Sequence, residues 1–278
     1  LAQGGICVLK NKDDFDSYYE DTMKAGRYKN NPDSVRIMIE ESPLIIRKLM
    51  GFGVDFDRNK NGSLSFTREG GHSTFRILHH QDITGKAITE TLLRQVEGKQ
   101  HITILEYTRM IDLICQDNQC YGIVVRDRDG SVRPIYSKET ILATGGLGGI
   151  FTNSTNFPHI AGDSFALALM HEIEVQDMNY IQIHPTTLYS KKKGRRFLIS
   201  ESVRGEGALL LNAKGERFVD ELLPRDVVSQ AILKQMKEDG KPYVYLSVSH
   251  LPKEEILNHF PHIYQRCLEE GYDITKEC

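Results

Sequence analysis

Thr140-Ile141-Leu142-Ala143-Thr144-Gly145-Gly146 is a short apolar run that ends in glycines, the pattern of a strand buried on both faces whose carboxyl end meets a ligand. Just upstream, residues 109–136 alternate with a period of two: Ile111, Leu113 and Cys115, then Tyr121, Ile123 and Val125, with turn signals at Asp117-Asn118 and Asp129-Gly130. That predicts a meander of three antiparallel strands. Before it, residues 85–97 place Ile88, Leu92, Leu93 and Val96 on one helical face and lead into Ile102-Thr103-Ile104-Leu105, as a helix feeding a parallel strand would. After it, a helix over 164–172 precedes Gln182-Ile183-His184-Pro185-Thr186-Thr187, and mixed strands and helices follow. The expected fold class is α/β, with a domain boundary near Ile183.

The first fifty residues read as helical scaffold. Asp14 is placed to cap a helix carrying Phe15, Tyr18, Tyr19, Thr22 and Met23, which ends at Gly26. Pro32 and Pro43 mark the starts of two further helices, the second stopping at Gly51-Phe52-Gly53. With 278 residues, 40% of them hydrophobic, the chain is long enough for two domains with a substantial core. Lys and Arg number 35 against 38 Asp and Glu, so there is no global positive field and no expectation of a nucleic-acid partner. Lys191 to Arg196 form a short basic patch, read as a solvated loop. No apolar run approaches the roughly 20 residues of a membrane helix, and Leu1 to Gly5 do not resemble a signal peptide. The five cysteines, Cys7, Cys115, Cys120, Cys267 and Cys278, are scattered without a C-x-x-C pair. They suggest neither a disulfide framework nor a zinc site, and a reducing cytoplasm fits them.

Glycines concentrate the candidate chemistry. Gln3-Gly4-Gly5 and Thr144-Gly145-Gly146 would each let backbone N–H groups approach a phosphate or flavin ring where a Cβ would clash, or would simply be turns. Asp163, after Gly162, either caps its helix or sits at a ligand.

Six markers occur in order: Ala2-Gln3-Gly4-Gly5-Ile6, Ala143-Thr144-Gly145-Gly146, Ala161-Gly162-Asp163-Ser164, His184-Pro185-Thr186, the run from Glu201 to Ala208, and Pro224-Arg225-Asp226. Together they resemble the succinate dehydrogenase/fumarate reductase flavoproteins over nearly the whole chain. The resemblance implies a partial FAD-binding domain of the Rossmann-like, glutathione-reductase type over 1–183, including the meander. It further implies an α+β capping domain over 184–278 that closes over a dicarboxylate. Ala2, Gln3, Gly4, Gly5, Thr144, Gly145, Gly146 and Asp163 would then meet FAD. The family usually writes T-G-D-G where this chain has Ala161-Gly162-Asp163-Ser164.

Thr67-Arg68-Glu69-Gly70-Gly71-His72-Ser73 resembles, within that family, the branch that oxidises aspartate. Other branches put an aromatic residue at the position of Glu69. Aspartate is succinate with an α-ammonium, and burying that cation calls for an anion. The alternative for Glu69 is an ion pair with Arg68 or Arg76. The resemblance makes His184, Ser200 and Glu201 the residues at one end of the dicarboxylate, Glu201 by orienting its neighbours. It makes Arg225 an acid or base near the substrate Cβ, the alternative being an ion pair with Asp226 or a neighbouring carboxylate. Arg204 and Glu206 are expected to support the Gly205/Gly207 turn.

Those flavoproteins also carry a G-x-G-x-x-G phosphate turn before this region, and a substrate-binding histidine and arginine clamp after it. The chain is therefore expected to be an internal piece of a longer enzyme. For the whole enzyme the resemblance implies L-aspartate as electron donor, FAD as cofactor, and oxygen or fumarate as acceptor. It also implies a functional link to quinolinate synthase in NAD synthesis. A fumarate reductase or succinate dehydrogenase subunit, or a non-catalytic fragment, is the alternative.

Overall fold

The structure, a computed structural model, describes residues 3–276; Ala2 and Cys278 lie outside them. In chain order the elements are β1 (Ile6–Cys7), α1 (Phe15–Ala25), α2 (Pro32–Gly51), β2 (Phe66–Thr67), β3 (Ile77–Leu78), α3 (Thr84–Glu97), β4 (Arg109–Gln116), β5 (Gln119–Arg126) and β6 (Val132–Tyr136). They continue with α4 (Asp163–Met170), α5 (Glu201–Gly205), β7 (Leu209–Leu211), α6 (Arg225–Asp239), β8 (Tyr245–Ser247), α7 (Lys253–His259) and α8 (Pro261–Glu269). Helices and strands are mixed along the chain, an α/β fold. Two compact units result. One takes the described residues up to Lys99, Ile183–Tyr189 and those from Leu198 onward; the other takes Gln100–Gln182 and Ser190–Phe197.

In the first unit β1, β3 and β2 form a small antiparallel sheet in that order. Its Leu78 packs with Val8, Ile46, Val54 and Phe56, while Tyr18 and Met23 of α1 pack on Val35 and Ile39 of α2. A third cluster joins Leu210 of β7 to Val228 and Ile232 of α6. One helix, α2, stands where two were expected, because it runs straight through Pro43. Proline removes the N–H that would bond the carbonyl of Ile39. The Ser42 hydroxyl donates to that carbonyl instead, at 2.7 Å, so the turn survives. Asp14 does precede α1 but makes no side-chain cap there; its carboxylate is taken by Arg76. On α3 the buried positions are Thr84 and Thr91, and Leu93, expected in the core, is exposed.

The second unit contains the predicted meander, with β4 paired to β5 and β5 to β6, all antiparallel. Its first turn is possible because Asp117 and Asn118 both adopt φ near +50° to +60°, the conformation a two-residue hairpin loop requires and Asn and Asp tolerate. Two expected strands are absent. Residues 102–105 and 140–146 form no strand, and Ile141 is 89% exposed. A strand exists only where neighbours accept its hydrogen bonds, and among the described residues no strand pairs with either stretch. The helix after Asp163 starts from Gly162 at φ +79°, where a Cβ would meet Leu147 at 3.0 Å.

Arg76 anchors the first unit. Its side chain is fully buried, with Nη2 2.8 Å from Asp14 and Nη1 2.5 Å from Asp21, Ser17 accepting a further bond at 2.6 Å. Replacing Arg76 with Leu leaves the Asp14 carboxylate buried without its cation. The expected loss is about 3 to 5 kcal/mol of stability, read from urea unfolding; a loss under about 1 kcal/mol would mean that water reaches this carboxylate.

Candidate functional site

The site forms where segment 68–70 meets α5. Gly205 brings the two together: a Cβ there would lie 2.3 Å from the carbonyl oxygen of Arg68. Gly70 does the same from the other side, since a Cβ on it would lie 2.9 Å from Glu201 Oε1. Only glycine allows this approach, and it sets Glu69 and Glu201 in one neighbourhood although they stand far apart in the sequence.

Glu201 is buried and carries two arginines. Its Oε1 accepts from Arg204 Nη2 at 2.7 Å and its Oε2 from Arg225 Nε at 2.6 Å. Arg204 is held in turn by the carbonyl of Glu221 at 2.5 Å. Arg225 begins α6 and reaches back to α5, while the neighbouring Asp226 pairs with Arg27 at 2.7 Å. Of the alternatives open for Arg225, the structure thus contains the pair with a nearby carboxylate, and that carboxylate is itself a site residue.

Glu69 is buried and pairs with neither arginine proposed for it. Arg76 is engaged by Asp14 and Asp21, and Arg68 stacks over Phe75. Glu69 Oε1 instead accepts the backbone N–H of Gly5 at 3.1 Å, and its carboxylate lies against Gly4. Burial holds Glu69 above the ordinary carboxylate range; the Gly5 N–H, Arg225 and Arg204 oppose this, and the Glu201 charge adds to it. The hydrogen bond it accepts comes from the main chain, and neither Arg68 nor Arg76 pairs with it. Gln3, Gly5, Thr67, Glu69, Glu206 and His259 line one cleft.

His184 is held by Thr186, whose N–H and carbonyl lie 3.2 and 3.0 Å from Nδ1. Burial, with the positive charge of Arg225, pushes its pKa down to about 4, so the ring is neutral at pH 7. Ser200 is buried at the start of α5, where its hydroxyl oxygen accepts the Ser202 N–H at 3.3 Å. It caps the helix that carries Glu201. Glu206 accepts from the Thr67 hydroxyl at 3.0 Å and faces His259 at 3.8 Å.

His72, which carries no role in the sequence expectations, is half-buried between Cys7 and Arg76, with 3.5 and 3.3 Å contacts to its two ring nitrogens. Burial and the Arg76 charge hold it below the ordinary histidine range. Arg204, expected only to support the turn, is bonded to Glu201, and their three-residue spacing on a helix is the local signal for that pair.

The flavin candidates fall in both units. In the first, Gln3 has a buried Oε1 with no partner among the described residues, next to Gly4, whose missing Cβ would touch nothing nearer than Glu69. In the second, Gly145 sits at φ +75° and Gly146 faces open space, while the Thr144 hydroxyl donates to Ser164 at 2.6 Å. Asp163 opens α4 without capping it and pairs with Arg109 at 2.8 Å. The orphaned acceptor in the first unit and the open glycine backbone in the second, each by itself, suit a hydrogen-bonding group of the kind a cofactor carries.

The profile of the FAD binding domain family matches residues 1–277. The chain belongs to that family, the succinate dehydrogenase and fumarate reductase flavoproteins. It is similar to the L-aspartate oxidase of Clostridium perfringens, 52% identical over 278 residues that make up all of this chain and 63% of that protein. The L-aspartate oxidase of Clostridium acetobutylicum is 49% identical over 99% of this chain and 64% of its own length. Among solved structures, an E. coli quinol fumarate reductase superposes with a TM-score of 0.90 at 27% identity, covering 99% of this chain and 51% of that one. The chain thus spans just under two thirds of the L-aspartate oxidases it resembles. FAD is the family's cofactor.

Two outcomes follow from this geometry. Gly205→Ala forces a methyl group against the Arg68 carbonyl and is expected to cost about 1 to 3 kcal/mol. Gly51→Ala, in the last turn of α2 with nothing within 4 Å, is expected to be neutral or to stabilise by up to about 1 kcal/mol. Thermal melts of the two variants check this, and equal effects would refute the close approach. Secondly, the His184 ring resonances in an NMR titration are expected to show no midpoint between pH 5.5 and 8, since the folded pKa is about 4; a midpoint near 6.5 would mean that the ring is hydrated.

Proposed function

We propose that the whole protein oxidises L-aspartate to iminoaspartate, with oxygen or fumarate as electron acceptor. The observation that carries this reading is the buried Glu69 carboxylate, bonded by a backbone N–H rather than by an arginine. An anion without a cationic partner suits the α-ammonium that distinguishes aspartate from succinate. The likeness to two L-aspartate oxidases supports the same choice.

FAD, when bound, accepts a hydride from the substrate carbon. In this reading Gln3, Gly4, Gly5, Thr144, Gly145, Gly146 and Asp163 belong to its surroundings. Residues 1–183 serve as the flavin-binding part and 184–278 as the part that closes over substrate. His184 is neutral, fixed by Thr186, and donates from its outer ring nitrogen to a substrate carboxylate. Ser200 positions the start of α5. Arg225 meets the substrate, with its guanidinium held at the Glu201 carboxylate. Glu201 in turn links to Arg204, so a proton leaving or reaching Arg225 has a carboxylate within hydrogen-bond distance to share it.

Fumarate reduction is the second reading, favoured by the structural likeness to E. coli quinol fumarate reductase. Among the described residues no helix is long and apolar enough to cross a membrane. The thiols of Cys7, Cys115, Cys120 and Cys267 are free, which supports a cytoplasmic setting, and a supply of iminoaspartate to quinolinate synthase fits the reaction.

Glu69→Gln in the whole protein separates the readings. The substitution keeps an oxygen for the Gly5 N–H and removes the charge. Aspartate kcat/KM is expected to fall about 10- to 150-fold, about 1.5 to 3 kcal/mol for a lost charge-assisted contact. Fumarate kcat/KM stays level or rises. Equal losses for both substrates would sink the role of Glu69 in recognising the ammonium.

A further inference from the structure

Cys115 and Cys120 look unrelated in sequence, and the hairpin makes them neighbours. They are paired directly across β4 and β5, one step from the Gln116–Gln119 pair that closes the turn. In a hairpin with a two-residue loop, the closing pair exchanges hydrogen bonds, so the next pair is of the non-hydrogen-bonded kind. There the Cα atoms approach to about 4.5 Å, within the range a disulfide spans. A bulge follows at once: Ile114 pairs with Gly122, leaving Tyr121 without an opposite residue. The ladder is thus irregular beside the cysteines, and the strand can adjust there. Both sulfurs are free thiols; Cys115 is exposed and Cys120 partly so.

We propose that Cys115 and Cys120 form a reversible disulfide whose oxidant is a hydroperoxide.

The two thiols are not equivalent. Cys120 Sγ lies 3.6 Å from the Thr140 hydroxyl. A backbone hydrogen bond at Gly122, together with that hydroxyl, holds Cys120 below the ordinary cysteine range. Partial desolvation and the adjoining Cys120 raise Cys115. Cys120 is therefore the thiol that attacks. Its thiolate takes the terminal oxygen of the hydroperoxide, the O–O bond breaks, and hydroxide (or an alkoxide) leaves, giving a sulfenic acid. Cys115 then attacks that sulfur as thiolate, the S–O bond breaks and hydroxide leaves. With hydrogen peroxide, the two thiols give up two electrons and two protons, and two waters result. A dithiol compound reverses the step. Such a pair suits a reducing compartment, where disulfides are transient and report oxidant.

Cys7 and Cys267 supply internal references, because burial pushes both thiols up to about 11. In the test, the folded whole protein is exposed to a few equivalents of hydrogen peroxide, quenched with iodoacetamide and digested with trypsin. Both cysteines fall in the peptide 110–126. That peptide is expected to be lighter by two hydrogens and unalkylated, to revert with dithiothreitol, and to form at least about 10-fold faster than any oxidation at Cys7 or Cys267. In Cys115→Ser, dimedone is expected to capture a sulfenic acid on Cys120. The proposal fails if both thiols still alkylate after peroxide, if they pass to sulfinic acid without losing two hydrogens, or if the disulfide joins two chains on a non-reducing gel. The decisive measurement is on the unmutated protein, so a folding defect in the variant does not obscure it.

Discussion

One carboxylate, that of Glu201, organises the candidate site. Each of its oxygens is committed to a different arginine, and it is buried, so neither arginine can be released without stranding charge. Arg204 ties the pair to the chain around Glu221, and Arg225 ties it to the start of α6. The position of Glu201 depends in turn on two absent side chains, those of Gly70 and Gly205. A charge network is here set by backbone sterics. Two carboxylates, Glu69 and Glu201, share this neighbourhood with two guanidinium groups, Arg204 and Arg225.

What could be read from the sequence divides along local and non-local lines. The meander was legible because alternation and the Asp117-Asn118 turn are both local, and a hairpin needs nothing else to define its register. The stretches 102–105 and 140–146 were misread as strands because their composition is strand-like, while a strand is decided by neighbours that composition does not reveal. Pro43 was read as a helix start on a sound rule, and the exception required knowing that Ser42 would turn its hydroxyl to the Ile39 carbonyl.

At the site, the same limit applies to partners. Glu69 could be singled out by its charge, but the candidates considered for it were side chains, and the group that binds it is a main-chain N–H 64 positions away. For Arg225 the structure shows the ion pair, and its partner is the buried Glu201 rather than the adjacent Asp226, which sequence proximity alone does not reveal. Cys115 and Cys120 were scattered cysteines until the hairpin register put them opposite each other.

The bond between Gly5 and Glu69 couples two parts of the candidate site. Gln3-Gly4-Gly5 is the segment offered to the flavin in the proposed reading, and Glu69 is the residue offered to the substrate's nitrogen. Because one hydrogen bond joins them, any exchange of Glu69 also removes or alters the main-chain contact that holds the glycine loop, so in that reading the two cannot be altered one at a time at this position.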